Sequence, residues 1–291
     1  MLTSHIMFKN IGLIAKPDDE RVKQALIQLI RYLKAREIDI AIDEQCAAQL
    51  SSDEKKGLKP LNSENRDLLI SIGGDGTLLH AAHQLPNFDV RLLGINLGTL
   101  GFLTDISPSE MNERLDRILA GEFFEEQRAI LRCSVIRKGE VLTTHNALND
   151  AVIQKWDTAR LITFDTYIND LFVNRQRSDG VIISTPTGST AYALSCGGPI
   201  LHPGLNAITL VPICPHTLSN RPIVVDGGSK ITIEVSTPEA EHARLTCDGN
   251  VKFALAQDDQ ITIERSKRFI RLIHPQDHDY YATLRAKLQW G

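Results

Sequence analysis

Residues 73–76 read Gly-Gly-Asp-Gly, a carboxylate set among three glycines at the end of the apolar run LLISI. A strand that enters a glycine-rich turn and then a helix presents backbone N–H groups to a phosphate. Glycine suits such a turn because its missing side chain allows close approach and positive φ. No Lys-Ser or Lys-Thr follows the last glycine, so the loop is not a Walker A cradle, and it is not GxGxxG either. A carboxylate inside a phosphate cradle would repel the anion unless it had another task. Asp75 could accept a proton from an attacking hydroxyl, or help hold a divalent cation on the phosphates. The plainer alternative is a tight turn carrying an exposed Asp.

A second dense stretch is RSDGVIISTPTGSTAYALSCGGPI, residues 177–200. VIIS reads as a strand, Pro186 and Gly188 as a sharp turn, and AYALS as a short helix. Ser189 and Thr190 could cap that helix or hydrogen-bond a sugar or base, and Tyr192 could offer a ring face to an aromatic ligand. Asp179 could accept from an amide or amine. Without a ligand, the same residues describe a capped strand–turn–helix. A third pair, Asn149-Asp150, suits vicinal ribose hydroxyls, which donate to an acid and accept from an amide. Asn-Asp is also a common turn pair. His80 and His83 lack a metal-binding pattern and read as helix-surface residues. Ser184 and Ser189 lie in no GxSxG elbow, and Cys196 reads as a small buried residue rather than a nucleophile.

The elements that must position these groups change character along the chain. IGLIA reads as a buried strand, and Val22, Ala25, Leu26, Leu29, Ile30 and Leu33 mark one face of a helix behind the capping candidates Asp18 and Asp19. IDIAI, DLLISIG and VRLLGIN continue as strands, which implies a mainly parallel sheet covered by helices. Ser107-Pro108-Ser109-Glu110 fits a capping box ahead of Met111, Leu115, Ile118 and Leu119. From Leu131 the period becomes two, as in Leu131/Cys133/Val135, Ile231/Ile233/Val235 and Ile261/Ile263, which indicates half-buried antiparallel strands. The last segment is helical again, with Tyr280, Leu284 and Leu288 on one face. Either domain could receive it.

The composition, 42% hydrophobic and 23% charged over 291 residues, is that of a soluble globular protein. Charges interrupt every apolar run well short of the ~18 residues of a membrane span. A net charge of −4 argues against general nucleic-acid binding. Five scattered cysteines without a CxxC pair, and an N-terminus lacking a signal-peptide pattern, lead to an expected cytoplasmic location.

The GGDG loop, NLGTLGFLTD at 96–105, Asn149-Asp150 and above all SDGVIISTPTGSTAYALSCGGPI together resemble the NAD kinase family, from about Ile11 to the C-terminal tail. The resemblance implies an α+β two-domain fold. An α/β nucleotide-kinase-like domain (1–125, joined by the tail 276–291) would precede a β-rich NAD-binding domain (126–275). It implies transfer of the ATP γ-phosphoryl to the 2′-hydroxyl of the adenosine ribose of NAD, with a divalent cation such as Mg²⁺, in a homo-oligomer, dimer or tetramer. By motif, Asp75 would be the catalytic base and Gly76 part of the nucleotide loop. Asn149 and Asp150 would bind the ribose and adenine region. Asp179 would meet the ligand, with Arg177 as its charged neighbour, and Thr190, Ala191, Tyr192 and Ser195 would line the dinucleotide pocket. Arg160 and Asn250 would add contacts. The family pair is usually Asn-Glu, so Asp150 is one methylene short. GGDG loops also occur in lipid and sugar kinases, which makes those the rival enzyme. A non-catalytic dinucleotide sensor is the rival of another class.

Overall fold

The structure is a computed structural model that describes residues 6–61, 66–84, 90–98, 100–156, 160–217, 219–236 and 243–290. The chain divides into two compact units, residues 1–127 with 270–291, and residues 128–269.

The first unit is built on parallel strands. β1 (Asn10–Ala15) is followed by α1 (Glu20–Lys34), β2 (Asp39–Ile42), the short helices α2 (Glu44–Ala48) and α3 (Ser52–Lys55), and β3 (Lys59–Pro60). β4 (Leu68–Gly73), α4 (Asp75–His83), β5 (Arg91–Asn96) and α5 (Met111–Leu119) complete the alternation. The strands lie in the order β3-β2-β1-β4-β5, all parallel. β1 thus has β2 on one side and β4 on the other, so the strand order reverses there. The carboxyl ends of β1 and β4 frame the crevice where open α/β sheets hold ligands. α1 buries every position of its expected face and Tyr32 besides, with Asp19 as N-cap accepting from Arg21 N. Each large apolar side chain so buried stabilises by about 1.5–3 kcal/mol before the entropy of ordering it.

One local expectation fails. α5 starts at Met111 with no side-chain cap, and Ser107 Oγ bonds Glu110 Oε2 at 2.8 Å in the turn before it. Glu110 therefore serves the turn rather than a capping box. The reciprocal box forms instead between Ser51 and Glu54, at the start of α3.

The second unit is built on antiparallel hairpins and ladders. Its strands are the later part of β6 (Phe124–Arg137), β7 (Glu140–Ala147), β8 (Asp150–Lys155), β9 (Ile162–Ile168), β10 (Leu171–Ser178), β11 (Gly180–Ser184), β12 (Ala207–Ile213), β13 (Ile223–Asp226), β14 (Ile231–Val235), β15 (Ala243–Cys247), β16 (Val251–Ala254) and the earlier part of β17 (Gln260–His274). One sheet runs β13-β12-β11-β8-β15-β16. The unit's core takes the inward residues that the alternation picks out, including Leu131, Cys133, Val135, Ile231, Ile233 and Ile261.

The terminal helix α7 (Tyr280–Leu288) belongs to the first unit. Leu284 is its buried anchor, Tyr280 and Leu288 are half-buried, and Asp279 caps it by accepting from Tyr281 N. Arg114 of α5 holds the approach to it through both Asp277 oxygens, at 2.6 and 2.8 Å.

Candidate active site

Asp75 stands at the first position of α4, at the carboxyl end of β4. Its carboxylate does not hang free. Oδ2 accepts from Phe102 N at 2.9 Å, while Oδ1 accepts from Leu103 N at 3.0 Å and Thr104 Oγ1 at 3.1 Å. Three donors from one loop fix the rotamer and leave lone pairs on Oδ2. Gly101 makes the approach feasible, because a Cβ there would overlap the Asp75 carboxylate and Thr104 Oγ1. At Gly74 and Gly76 a Cβ would meet nothing, and both residues line open cavity rather than packed protein. Those two glycines leave room for a ligand; Gly101 is required by the fold.

In the second unit, Asn149 and Asp150 open β8 and are pinned from two sides. The Asp248 carboxylate accepts from Leu148 N at 2.8 Å, Asn149 N at 2.8 Å and Asp150 N at 3.1 Å. Thr185 Oγ1 donates to Leu148 O at 2.6 Å, and Thr185 N donates to Asn149 O at 2.9 Å. Gly188 packs against the Asn149 backbone so closely that no Cβ would fit. Asp150 is 5% exposed. Burial, and secondarily the Asp248 charge, push its carboxyl pKa up to about 7. Burial at this pinned turn thus holds the carboxyl near neutrality.

Asp179 lies at the far end of the same strand pair. Gly180 opposes Gln154 and Ser184 opposes Asp150, so Asp179 lies five residues along the pair from Asp150, about 17 Å at roughly 3.4 Å per residue. The ionic partner of Asp179 is Lys155, at 2.6 Å, and not Arg177, whose side chain is exposed. The Tyr192 hydroxyl pKa is raised by burial, then by Cys196 and Cys214, and also by Asp179, which places the ring toward that end. Ser189 and Thr190 do not cap α6 (Tyr192–Ser195), which has no side-chain cap. Ser189 donates to Pro186 O and accepts from Leu201 N, and Thr190 donates to Thr187 O. Ala191 connects the 3₁₀ turn to α6, and Ser195 is exposed at its end. Asn250 lies exposed in the β15–β16 turn beside Asp248. Arg160 is exposed ahead of β9. Thus Asn149, Asp150 and the Asn250 turn gather at one end of the pair, and Asp179 and Tyr192 at the other.

Asp248, Thr185 and the 102–104 donors were not legible as site residues. Their only sequence signal is a turn-forming Asp-Gly and a polar residue inside motifs noted for other reasons. Among the described residues, one cluster has the donor set of a metal site, Asp105 with His274 and His278. Its mixture of two imidazoles and one carboxylate suits zinc better than magnesium, which favours oxygen ligands.

A family model described as the ATP-NAD kinase N-terminal domain matches residues 11–123, and one for the ATP-NAD kinase C-terminal domain matches residues 148–275. The NAD kinases of Colwellia psychrerythraea and Marinobacter nauticus are each 46% identical over 285 residues, covering 98% of this chain and 97% of theirs. The crystal structure of a yeast NADH kinase complexed with NADH superposes with a TM-score of 0.89 at 27% identity, covering 97% of this chain and 88% of that one. An NAD kinase from Archaeoglobus fulgidus in complex with ATP gives 0.74 at 26% identity, covering 95% and 99%. A shared GGDG loop alone would not extend through both halves, in order and nearly end to end, so the chain belongs to the NAD kinase family.

Proposed function

We propose that this protein phosphorylates the 2′-hydroxyl of the adenosine ribose of NAD with ATP, giving NADP and ADP, and that Asp75 is its general base. The observation that carries the base assignment is the carboxylate held by three donors at the mouth of the β4 crevice. The ribose oxygen attacks the γ-phosphorus and its proton passes to Asp75. The bond from that phosphorus to the β–γ bridging oxygen breaks, and ADP leaves. A hydroxyl is a poor nucleophile, and a positioned base contributes typically ~10²–10⁴-fold.

The two ends of the β8–β11 pair support a two-ended ligand. Asn149 and Asp150 would hold ribose hydroxyls, with Asn250 beside them. Asp179 and Tyr192 would meet the other end, and Thr190, Ala191 and Ser195 would line the path. Arg160 and Arg177 would add cationic contacts. Asp150 is shorter than the usual glutamate, and the three N–H groups pinned on Asp248 fix where it starts.

A hard divalent cation is commonly held by one or two carboxylates together with substrate phosphates. Asp75 fits that role for Mg²⁺, which would neutralise charge on the transferred phosphoryl. Free thiols support a cytoplasmic setting. A homo-oligomer rests on the family resemblance.

The test is incubation with ATP, Mg²⁺ and NAD, with NADP read by an NADP-specific dehydrogenase. NADP formed in step with ADP supports the reading. NAD binding without turnover would make the protein a sensor. Phosphorylation of a diacylglycerol or a sugar in place of NAD would make it a different kinase.

A further inference from the structure

Two cavities flank the glycine loop within the first unit. The larger, about 450 Å³, lies at the carboxyl ends of β1, β2 and β4, with Ile14 and Pro17 among its walls. The smaller, about 380 Å³, contains Asp75, Asn96 and Gly101. Lys16 and Gly74 line both. Lys16 follows β1 and Gly74 follows β4, so the shared wall stands where the strand order reverses.

The charges of the smaller cavity are uneven. Asp19 and Arg21 line it but pair with each other at 3.1 Å, and Asp75 is satisfied by its three donors. Lys16 and Lys287 also line it, and neither ammonium has a carboxylate partner among the described residues. Lys287 comes from α7 and stands 5.9 Å from the centroid of the Phe102 ring, on the loop that holds Asp75. The tail that carries it is anchored nearby. Asp105, next to Thr104, takes His274 Nδ1 at 3.0 Å and His278 Nδ1 at 2.8 Å. Two unpaired cations beside a carboxylate and a glycine wall make a site for a polyanion that ends at Asp75.

We infer that Lys16 and Lys287 bind the phosphate chain of the donor nucleotide, which makes the C-terminal helix part of the donor site. The nucleoside lies in the larger cavity. The phosphates cross the wall at Lys16 and Gly74, and Lys287 meets the terminal phosphate beside Asp75. This rests on the reading of the protein as an ATP-using kinase. The open space at Gly74 and Gly76 is the room such a chain needs.

The experiment combines kinetics with direct binding. Lys287→Ala and Lys16→Ala are each expected to raise the KM for ATP about tenfold, the scale of one lost charge-assisted bond, with the KM for NAD within about twofold of wild type. Lys287→Arg should recover most of the loss. Calorimetric titration with inorganic tripolyphosphate should show about tenfold weaker binding in both alanine variants, while adenosine, which carries no phosphate, binds as to wild type. Unchanged tripolyphosphate binding in both variants, with melting temperatures matching wild type, would overturn the inference. Equal loss of adenosine and tripolyphosphate binding would overturn it too, since that marks a general disturbance. If the wild type forms no NADP, the kinase reading fails, and the tripolyphosphate titration still decides the site.

Discussion

The Asp150 carboxyl, with an unperturbed pKa of 3.8, is raised in the fold to about 7 by burial and then by Asp248. Between those values the folded chain binds more protons at this position than the unfolded chain does. Stability therefore falls as pH rises through the window and levels off above about pH 7. At 1.36 kcal/mol per pH unit, the ionised carboxylate costs on the order of 4 kcal/mol above the window. The side chain accepts no hydrogen bond from any described residue, so Asp150→Asn removes the charge and breaks no bond. At pH 8.5 the variant should be more stable than wild type by about 2–4 kcal/mol, and at pH 4.5 the two should agree within about 1 kcal/mol.

Urea unfolding followed by circular dichroism across that range measures both curves. The same variant should lose roughly ten- to a hundredfold in kcat/KM for NAD, through the lost charged contact to the ribose. A protein that gains stability while losing activity is the expected trade at a functional site. Parallel stability curves for variant and wild type, offset by a constant or not at all, would show that Asp150 does not titrate near neutrality. Burial would then not govern its protonation.

Asp75→Asn should lower kcat by ~10²-fold or more while NAD still binds by calorimetry, because shape is kept and basicity is lost. Partial recovery at high Mg²⁺ would shift its main role from base to metal ligand, and near-wild-type turnover at every Mg²⁺ concentration would leave it a turn residue. Asp248→Ala strands the N–H groups of Leu148, Asn149 and Asp150 and should destabilise by about 1–3 kcal/mol in urea at pH 7, with a raised KM for NAD. Stability within about 0.3 kcal/mol of wild type would show that water replaces the carboxylate at no cost. Deleting residues 279–291 removes the Leu284 anchor and should lower the melting temperature. An unchanged melting temperature and solubility would make the tail dispensable.

What the sequence revealed follows from the range of the forces involved. The α1 face was legible because helix period and burial are one pattern, and Asp19 because a cap acts two residues away. The switch from helical period to alternation located the β-rich half for the same reason. Side-chain partners chosen by tertiary structure were not legible. Ser107 and Glu110 have the spacing of a capping box, yet the helix starts at Met111 and their side chains bond each other instead. Ser51 and Glu54 make the box, around a helix of only four residues that gives almost no periodic signal. Arg177 is two residues from Asp179, but the chain passes between them from β10 into β11 of the other sheet, where the antiparallel partner β8 supplies Lys155.

The same distinction explains why the two chemical acids could be named but not understood. Asp75 and Asp150 stand in motifs whose residue types suggest chemistry. What sets their behaviour comes from elsewhere in the chain: residues 102–104 hold the first, and residue 248 pins and repels the second. Backbone and hydroxyl donors fix the Asp75 carboxylate at the β4 crevice without a paired cation among the described residues. Asp150 is treated in the opposite way, with no donor and a neighbouring carboxylate, so it is kept close to neutral. Neutral donors hold and aim the Asp75 carboxylate, whereas burial and a neighbouring carboxylate keep Asp150 near its titration point.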